Sequence, residues 1–324
     1  MSVLAVQDLR VGFRDGTLAV RGISLDLGHG ETLGLVGESG CGKSVTSLAV
    51  MGLLARGAAR TAAGIRLAGE DIARASERRM AQLRGDRIAM IFQEPMTSLN
   101  PAYTVGDQLS EVYRRHRGAG RLQARDRAAD LLARVGIANP GLRLAQYPHE
   151  LSGGLRQRVM IAMALMCEPD VLIADEPTTA LDVTVQAQIL RLLQDLQKET
   201  GLAILLITHD LGVVARMADR VSVMYAGEIV ESGTAEALFG RPMHPYTRGL
   251  LDSIPVPGKL RPGDQLKAIP GTVPRITAAF RGCGFRDRCG LADRGCEDTI
   301  MPREEGPQHR YLCRLSSELQ GQAS

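Results

Sequence analysis

Thr32-Leu33-Gly34-Leu35-Val36 runs directly into Gly37-Glu38-Ser39-Gly40-Cys41-Gly42-Lys43-Ser44, and that junction decides the fold. An apolar strand, a loop fitting G-x-x-x-x-G-K-[ST] and a helical run through Val45, Leu48 and Leu53 follow in the order a phosphate-binding turn requires. The glycines allow successive backbone N–H groups to face an anion at the positive end of the helix. Gly37, Ser39, Gly40, Cys41, Gly42 and Lys43 are therefore candidates to cradle a phosphate chain. Lys43 would reach the β- and γ-phosphates, and the Ser44 hydroxyl would ligate Mg²⁺.

Downstream, Val171-Leu172-Ile173-Ala174 leads straight into Asp175 and Glu176, which places two carboxylates at the carboxyl end of a buried strand. Ligands of open α/β sheets bind at that edge. Asp175 suits the Mg²⁺ shell, and Glu176 suits polarisation of a water attacking the γ-phosphate in line. A capping pair before a helix would explain the two acids alone, but not their place beyond a phosphate loop. Ser152, Gly153 and Gly154, followed by Arg156, Gln157 and Arg158, read as a helix start that also offers N–H groups to an anion. One nucleotide rarely needs two such grips from one chain.

In this order the phosphate loop, Gln93, Leu151-Ser152-Gly153-Gly154-Leu155-Arg156-Gln157, Asp175-Glu176-Pro177 and His209 resemble the ATP-binding cassette (ABC) ATPases. The resemblance covers essentially the whole chain. It implies an α/β P-loop NTPase core with an antiparallel β subdomain, an inserted helical subdomain and a small Cys-containing C-terminal extension. It also implies two cassettes meeting head to tail, the LSGG turn of one (here Ser152 to Gly154) closing on ATP held by the phosphate loop of the other. Gln93 matches the Q-loop glutamine that touches Mg²⁺ and the attacking water, and His209 matches the switch histidine on the γ-phosphate. Thr179 to Asp182 match the D-loop, with Asp182 at the nucleotide interface. Phe13 is the candidate for stacking on adenine, with packing in an N-terminal strand as its alternative.

The implied organisation is an ABC ATPase domain over residues 1–240 and an extension over 241–324. Residues 3 to 35 alternate short apolar runs with turns at Arg14-Asp15-Gly16 and Gly28-His29-Gly30, as antiparallel strands do. The helical subdomain is expected at about 95–155, where Leu131, Leu132 and Val135 recur at helical spacing between turn signals at Gly136 and Asn139-Pro140-Gly141. Val185, Ile189, Leu192, Leu193 and Leu196 fall on one face of a later helix that Gly201 ends. Beyond residue 240, Pro/Gly-punctuated stretches such as Arg241-Pro242-Met243-His244-Pro245-Tyr246-Thr247 and Ile254-Pro255-Val256-Pro257-Gly258 favour extended segments and turns.

Three stretches are similar to the oligopeptide/dipeptide-type importers: Phe92-Gln93-Glu94-Pro95-Met96-Thr97-Ser98-Leu99-Asn100-Pro101, Arg158 to Leu165, and His244-Pro245-Tyr246-Thr247-Arg248-Gly249-Leu250-Leu251. Leu155 stands where that subfamily usually has Met, an apolar exchange of similar volume. The likeness implies the first of the two different ATPases such importers carry. The implied partners are a second ABC ATPase in a heterodimer, two transmembrane permease subunits and an extracytoplasmic solute-binding protein. The place would be peripheral, on the cytoplasmic face of the inner membrane. The implied work is ATP hydrolysis driving import of di- or oligopeptides or a similar small solute.

Bulk composition agrees with a globular ATPase. The 324 residues are 44% apolar, ample for a buried core, and 39 basic against 36 acidic side chains leave a formal charge of only +3. Aromatic content of 3% without Trp argues against a nucleic-acid surface built on stacking. The longest apolar runs, such as Leu202 to Ile207, fall far short of the ~20 residues a spanning helix needs. The N-terminus lacks a basic region ahead of an apolar one, so no secretory signal is expected. The rival class is a non-transport ABC ATPase of DNA repair or translation. It predicts two cassettes in one chain, or long coiled-coil or basic insertions.

Cys283, Cys289, Cys296 and Cys313 crowd the C-terminal end, and a cytosolic chain has little use for disulfides, so a metal centre is expected. Their gaps of 5, 6 and 16 residues depart from the C-x2-C spacing of zinc ribbons. In peptide-type importer ATPases a similar pattern is associated with an iron-sulfur cluster, so the resemblance implies [4Fe-4S], with zinc or metal-free thiols as alternatives. Gly284 and Gly290 stand where that group often has Pro. Cys41 sits at a helix N-terminus, which favours a reactive thiolate; the alternative is an inert small side chain in a loop that works through its backbone.

Overall fold

The computed structural model describes residues 2–93, 98–179, 181–254, 268–306 and 308–315. The Q-loop residues Glu94 to Thr97, the D-loop Ala180 and the Pro255 to Gly258 stretch lie outside the described residues. The chain divides into two units. The first comprises Met1–Leu4, Leu27–Glu31 and Leu67–Leu206; the second comprises Ala5–Asp26, Thr32–Arg66 and Ile207–Ser324.

In the first unit, β7 (Ile88–Ile91) and β8 (Val171–Asp175) pair in parallel, with Ile88 opposite Val171 and Ile91 opposite Ala174. Every residue of β8 is buried, as a strand covered on both faces must be, and this explains its unbroken apolar run. Next to it lies β9 (Ala203–Thr208), also buried throughout. The helices Val105–Arg117, Arg121–Arg134 and Gly153–Ala164 pack on one another. The middle one buries Leu131 and Leu132, with Val135 buried at its C-cap, as the sequence period predicts, and it buries Ala124 and Ala128 besides. Helix Val183–Thr200 buries Ile189, Leu193 and Leu196 of the expected face, leaves Val185 and Leu192 half-buried, and buries Leu190 and Gln197 as well. Gln197 Nε2 donates to Gly30 O at 2.8 Å, so a polar residue completes the buried face.

In the second unit, residues 5–13 of β1 (Ser2–Phe13) and 18–26 of β2 (Leu18–Gly28) belong to neighbouring strands of one sheet, and β4 (Ala58–Thr61) pairs antiparallel with β1. The turn between β1 and β2 falls at Arg14-Asp15-Gly16: Phe13 N–H donates to Thr17 O, and the Asp15 carboxylate accepts from Thr17 N–H at 3.0 Å. A second sheet carries β3 (Thr32–Val36) parallel to β10 (Arg220–Tyr225), followed by β11 (Glu228–Thr234), β13 (Arg310–Tyr311) and β12 (Arg303–Glu304).

Residues beyond 240 are less extended than their prolines suggest. Pro245–Asp252 is an α-helix with Pro245 in its first turn, where the missing N–H costs nothing, and His244 at its N-cap. Ile276 and Phe285 join Val36, Val223, Tyr225 and Tyr246 in one apolar cluster, so the C-terminal residues share the core of the phosphate-loop strand. Among the described residues no helix is long and apolar enough to cross a membrane.

Candidate functional site: a phosphate loop and an acidic strand end

β3 ends in the loop Gly37–Gly42, and helix Lys43–Met51 begins at once. Two glycines are enforced by space as well as by backbone conformation. A Cβ on Gly37 (φ 152°) would lie 2.2 Å from Met224 O, and one on Gly42 (φ 110°) would lie 2.4 Å from Ala19 O. The result is a cradle that accepts no side chain at either end. Lys43 is buried, and its Nζ donates to Gly37 O at 2.7 Å and Glu38 O at 3.0 Å. Ser39 and Gly40 are exposed at the tip, and Ser44 is half-buried in the first helical turn. A lysine folded over a helix N-terminus in a glycine cradle has the donor set that a nucleotide phosphate requires, so these residues fit ATP.

Cys41 is 1% exposed, and burial pushes its thiol pKa up, outweighing the neighbouring Lys43 ammonium. Burial therefore favours the second of the two readings, a small side chain in a loop that works through its backbone. Phe13 closes β1 opposite Ala58 of β4 and is 37% exposed, so it is not the core residue of the alternative view. Its ring is available to a ligand.

The acidic end lies in the first unit. Asp175 is the buried last residue of β8, and Glu176 follows with φ 47°, a left-handed turn that lifts its side chain off the strand. The register of β7 on β8 brings Gln93 and Glu176 level, each two residues past the pair Ile91 and Ala174. Gln93 Nε2 donates to Glu176 Oε2 at 3.0 Å, and Thr179 Oγ1 donates to the same oxygen at 2.7 Å. Thr179, placed only in a loop by sequence, is thus a direct partner of the candidate base.

Ser152 is the N-cap of helix Gly153–Ala164, its Oγ accepting from Leu155 N–H at 3.4 Å, while Ser152 and Gly153 are exposed. Gln157, 1% exposed, donates from Nε2 to Pro177 O at 2.6 Å and so ties this helix to the residue after Glu176. Sequence alone quotes Gln157 without a task; its buried amide needs a partner, and that is the missed signal. Arg156 donates to Pro148 O and His149 O, and Arg158 to Val135 O and Gln188, so both arginines anchor the turn's surroundings. Asp182 caps its own helix, accepting from Val185 N–H at 2.9 Å. In the second unit, His209 is exposed directly after β9, ahead of a helix that Asp210 caps.

Cys296 and Cys313 are buried, Cys283 and Cys289 are half-buried, and Cys283 N–H donates to Cys296 O. Burial pushes the Cys283 thiol up to about 11, and charge on Cys296, Cys313 and Cys289 would push it further the same way, so the four share one neighbourhood. Yet among the described residues no three His, Cys, Asp or Glu side chains gather as a metal-holding group. The donor chemistry suits a cluster: Cys283 and Cys289 pack against the apolar cluster that contains Phe285, and Cys313 packs with Met243 and Tyr311.

A phosphate cradle on one strand end and a paired glutamine and glutamate on another, with a glycine-led helix between them in sequence, define the class, and the chain belongs to the ABC transporter family. A sequence profile described as "ABC transporter" matches residues 20–179. A second, "Oligopeptide/dipeptide transporter, C-terminal region", matches residues 230–296. The chain is 54% identical to the dipeptide transport ATP-binding protein DppD of Bacillus subtilis over 98% of its length and 95% of the relative's. It is 50% identical to the probable D,D-dipeptide transport ATP-binding protein DdpD of Escherichia coli over 91% of both chains. Among solved structures it is similar to cbiO1 of Clostridium perfringens, part of the ABC transporter complex cbiONQ (TM-score 0.64, 30% identity, 74% of this chain and 91% of that one). It is also similar to the ATP-binding cassette MJ0796 bound to ADP and Pi (TM-score 0.65, 26% identity, 72% and 98%).

Proposed function

We propose that this chain is the ATP-hydrolysing subunit of an ABC importer for di- or oligopeptides. The observation that carries the peptide assignment is the C-terminal match over residues 230–296, a region that peptide-transport ATPases have and a bare cassette does not need. The DNA-repair or translation alternative has no observation in its favour. Residues 1–240 form the ATPase domain, with the helical subdomain at about 95–155, and 241–324 form the transporter-type extension.

Within the site, Gly37 to Ser44 hold the triphosphate through backbone N–H groups and Lys43, and Phe13 packs against the adenine. Ser44, Asp175 and Gln93 are the residues that would hold Mg²⁺, which would supply neutralisation of phosphate charge. Glu176, oriented by Gln93 and Thr179, accepts a proton from the attacking water, and His209 steadies the γ-phosphate. Ser152, Gly153, Gly154 and Asp182 face the nucleotide of a second, different ATPase. The pair docks at the cytoplasmic face of the membrane beneath two permease subunits fed by a binding protein. Affinity purification from membranes tests the assignment: two polytopic chains and a second ATPase should accompany this one, whereas ribosomes or repair factors would refute it.

The [4Fe-4S] assignment for Cys283, Cys289, Cys296 and Cys313 is a separate proposal, supported by four thiols in one apolar neighbourhood and by no formed ligand geometry. Anaerobically purified protein should be brown, with visible absorbance lost in Cys289→Ser. Colourless, metal-free protein would end it.

A further inference from the structure

Glu38, the second residue of the phosphate loop, is held from two sides by residues far along the chain. Its backbone N–H donates to Tyr246 Oη at 2.8 Å. Its carboxylate receives a two-pronged grip from Arg288, Nη1 to Oε2 at 2.7 Å and Nη2 to Oε1 at 3.0 Å. The Arg288 side chain is only 6% exposed, so its charge needs full compensation, and it has it. Besides Glu38, Nη1 donates to Tyr225 Oη, Nη2 to Ile269 O and Nε to Pro270 O, which occupies all five N–H groups of the guanidinium. The pairing holds the arginine pKa above its ordinary value, the Glu38 bonds being the largest cause. A lysine could not reproduce this planar fork.

The consequence reaches the lysine of the loop. Lys43 Nζ rests on two carbonyls, those of Gly37 and Glu38, so the peptide that Tyr246 and Arg288 fix is one that sets where the ammonium lies. We propose that Arg288 and Tyr246 are positioning residues of the nucleotide site, acting through Glu38 to hold the phosphate loop and Lys43 in binding geometry. The C-terminal region thereby conditions ATP affinity without touching ATP.

This inference rests on the nucleotide site proposed above, and the test separates the two. The fluorescent nucleotide mant-ATP is titrated into the full-length chain and into Lys43→Ala, Glu38→Gln, Arg288→Ala, Arg288→Lys, Tyr246→Phe and Glu38→Gln/Arg288→Ala. If wild type fails to bind, or Lys43→Ala binds equally well, the nucleotide site itself is wrong. If the strut positions the loop, Glu38→Gln and Arg288→Ala each weaken binding about tenfold, and the double variant is no weaker than the worse single one. Arg288→Lys recovers only part of the loss, and Tyr246→Phe weakens binding less than the charge variants do. In the assembled transporter, the KM for ATP rises while kcat at saturating ATP holds. Wild-type affinity in Glu38→Gln, or losses that simply add, would overturn the proposal. Should Arg288→Ala not fold, the half-exposed Glu38→Gln and the conservative Arg288→Lys still decide it.

Discussion

Gln93 Nε2 lies 3.0 Å from Glu176 Oε2, so the glutamine that leads out of β7 and the carboxylate that leads out of β8 share a hydrogen bond. The parallel register of the two strands produces the contact, and Thr179 completes it from the turn that follows. The two neutral donors fix the carboxylate in orientation, as a group that takes a proton from water needs.

Replacing Gln93 with Ala removes one of those donors and leaves the phosphate loop intact. Mant-ATP affinity should stay within about twofold of wild type, while ATPase kcat falls by up to about tenfold for loss of one orienting bond. Peptide uptake by reconstituted transporter should fall further than ATPase does, because Gln93 stands at the entry to the helical segment. Full uptake in that variant would refute the coupling role.

Gly42→Ala tests the cradle. The added methyl meets Ala19 O at 2.4 Å in a backbone at φ 110°, so the loop must shift. A stability loss of about 2 kcal/mol or more is expected from strain and clash together, and mant-ATP binding should be lost with it. Denaturant midpoints and nucleotide titration measure the two effects. Wild-type affinity would show that phosphate binding does not use this geometry.

His244 gives the protein an acid-sensitive joint. Its imidazole is buried, accepts from Tyr246 N–H through Nδ1 at 3.1 Å, and has a pKa pushed down to about 4 by burial, against the opposing charge of Glu231. In the unfolded chain the group titrates near 6.5. As pH falls from about 6.5 to about 4, the unfolded chain binds a proton that the folded chain refuses, so stability is full above that window and is lost across it. The slope is up to about 1.4 kcal/mol per pH unit. His244→Asn, which keeps an acceptor but cannot titrate, should flatten urea-denaturation stability between pH 7 and pH 5. An unchanged slope would assign the acid sensitivity to other groups.

Much of this was legible in the chain. The strand-loop-helix of Thr32 to Met51 and the strand into Asp175-Glu176 carry their own local signals: apolar runs, obligatory glycines and terminal acids. The stripe through Leu131, Leu132 and Val135 is likewise a matter of period. What the sequence hid is what folding brings together over long separations. Arg288 meets Glu38 across 250 positions, and Gln157 meets Pro177 because two elements happen to pack. Pro245 misled because proline ends a helix in one place and begins one in another.

The most direct measurement is ATP binding and turnover by Glu176→Gln beside wild type, in the complete transporter. Mant-ATP affinity should be retained, steady-state hydrolysis should drop about a hundredfold or more, and ATP should accumulate unhydrolysed in a long-lived closed pair of cassettes. Hydrolysis at the wild-type rate would contradict the assignment of Glu176 as the base and, with it, the site built around the acidic end of β8.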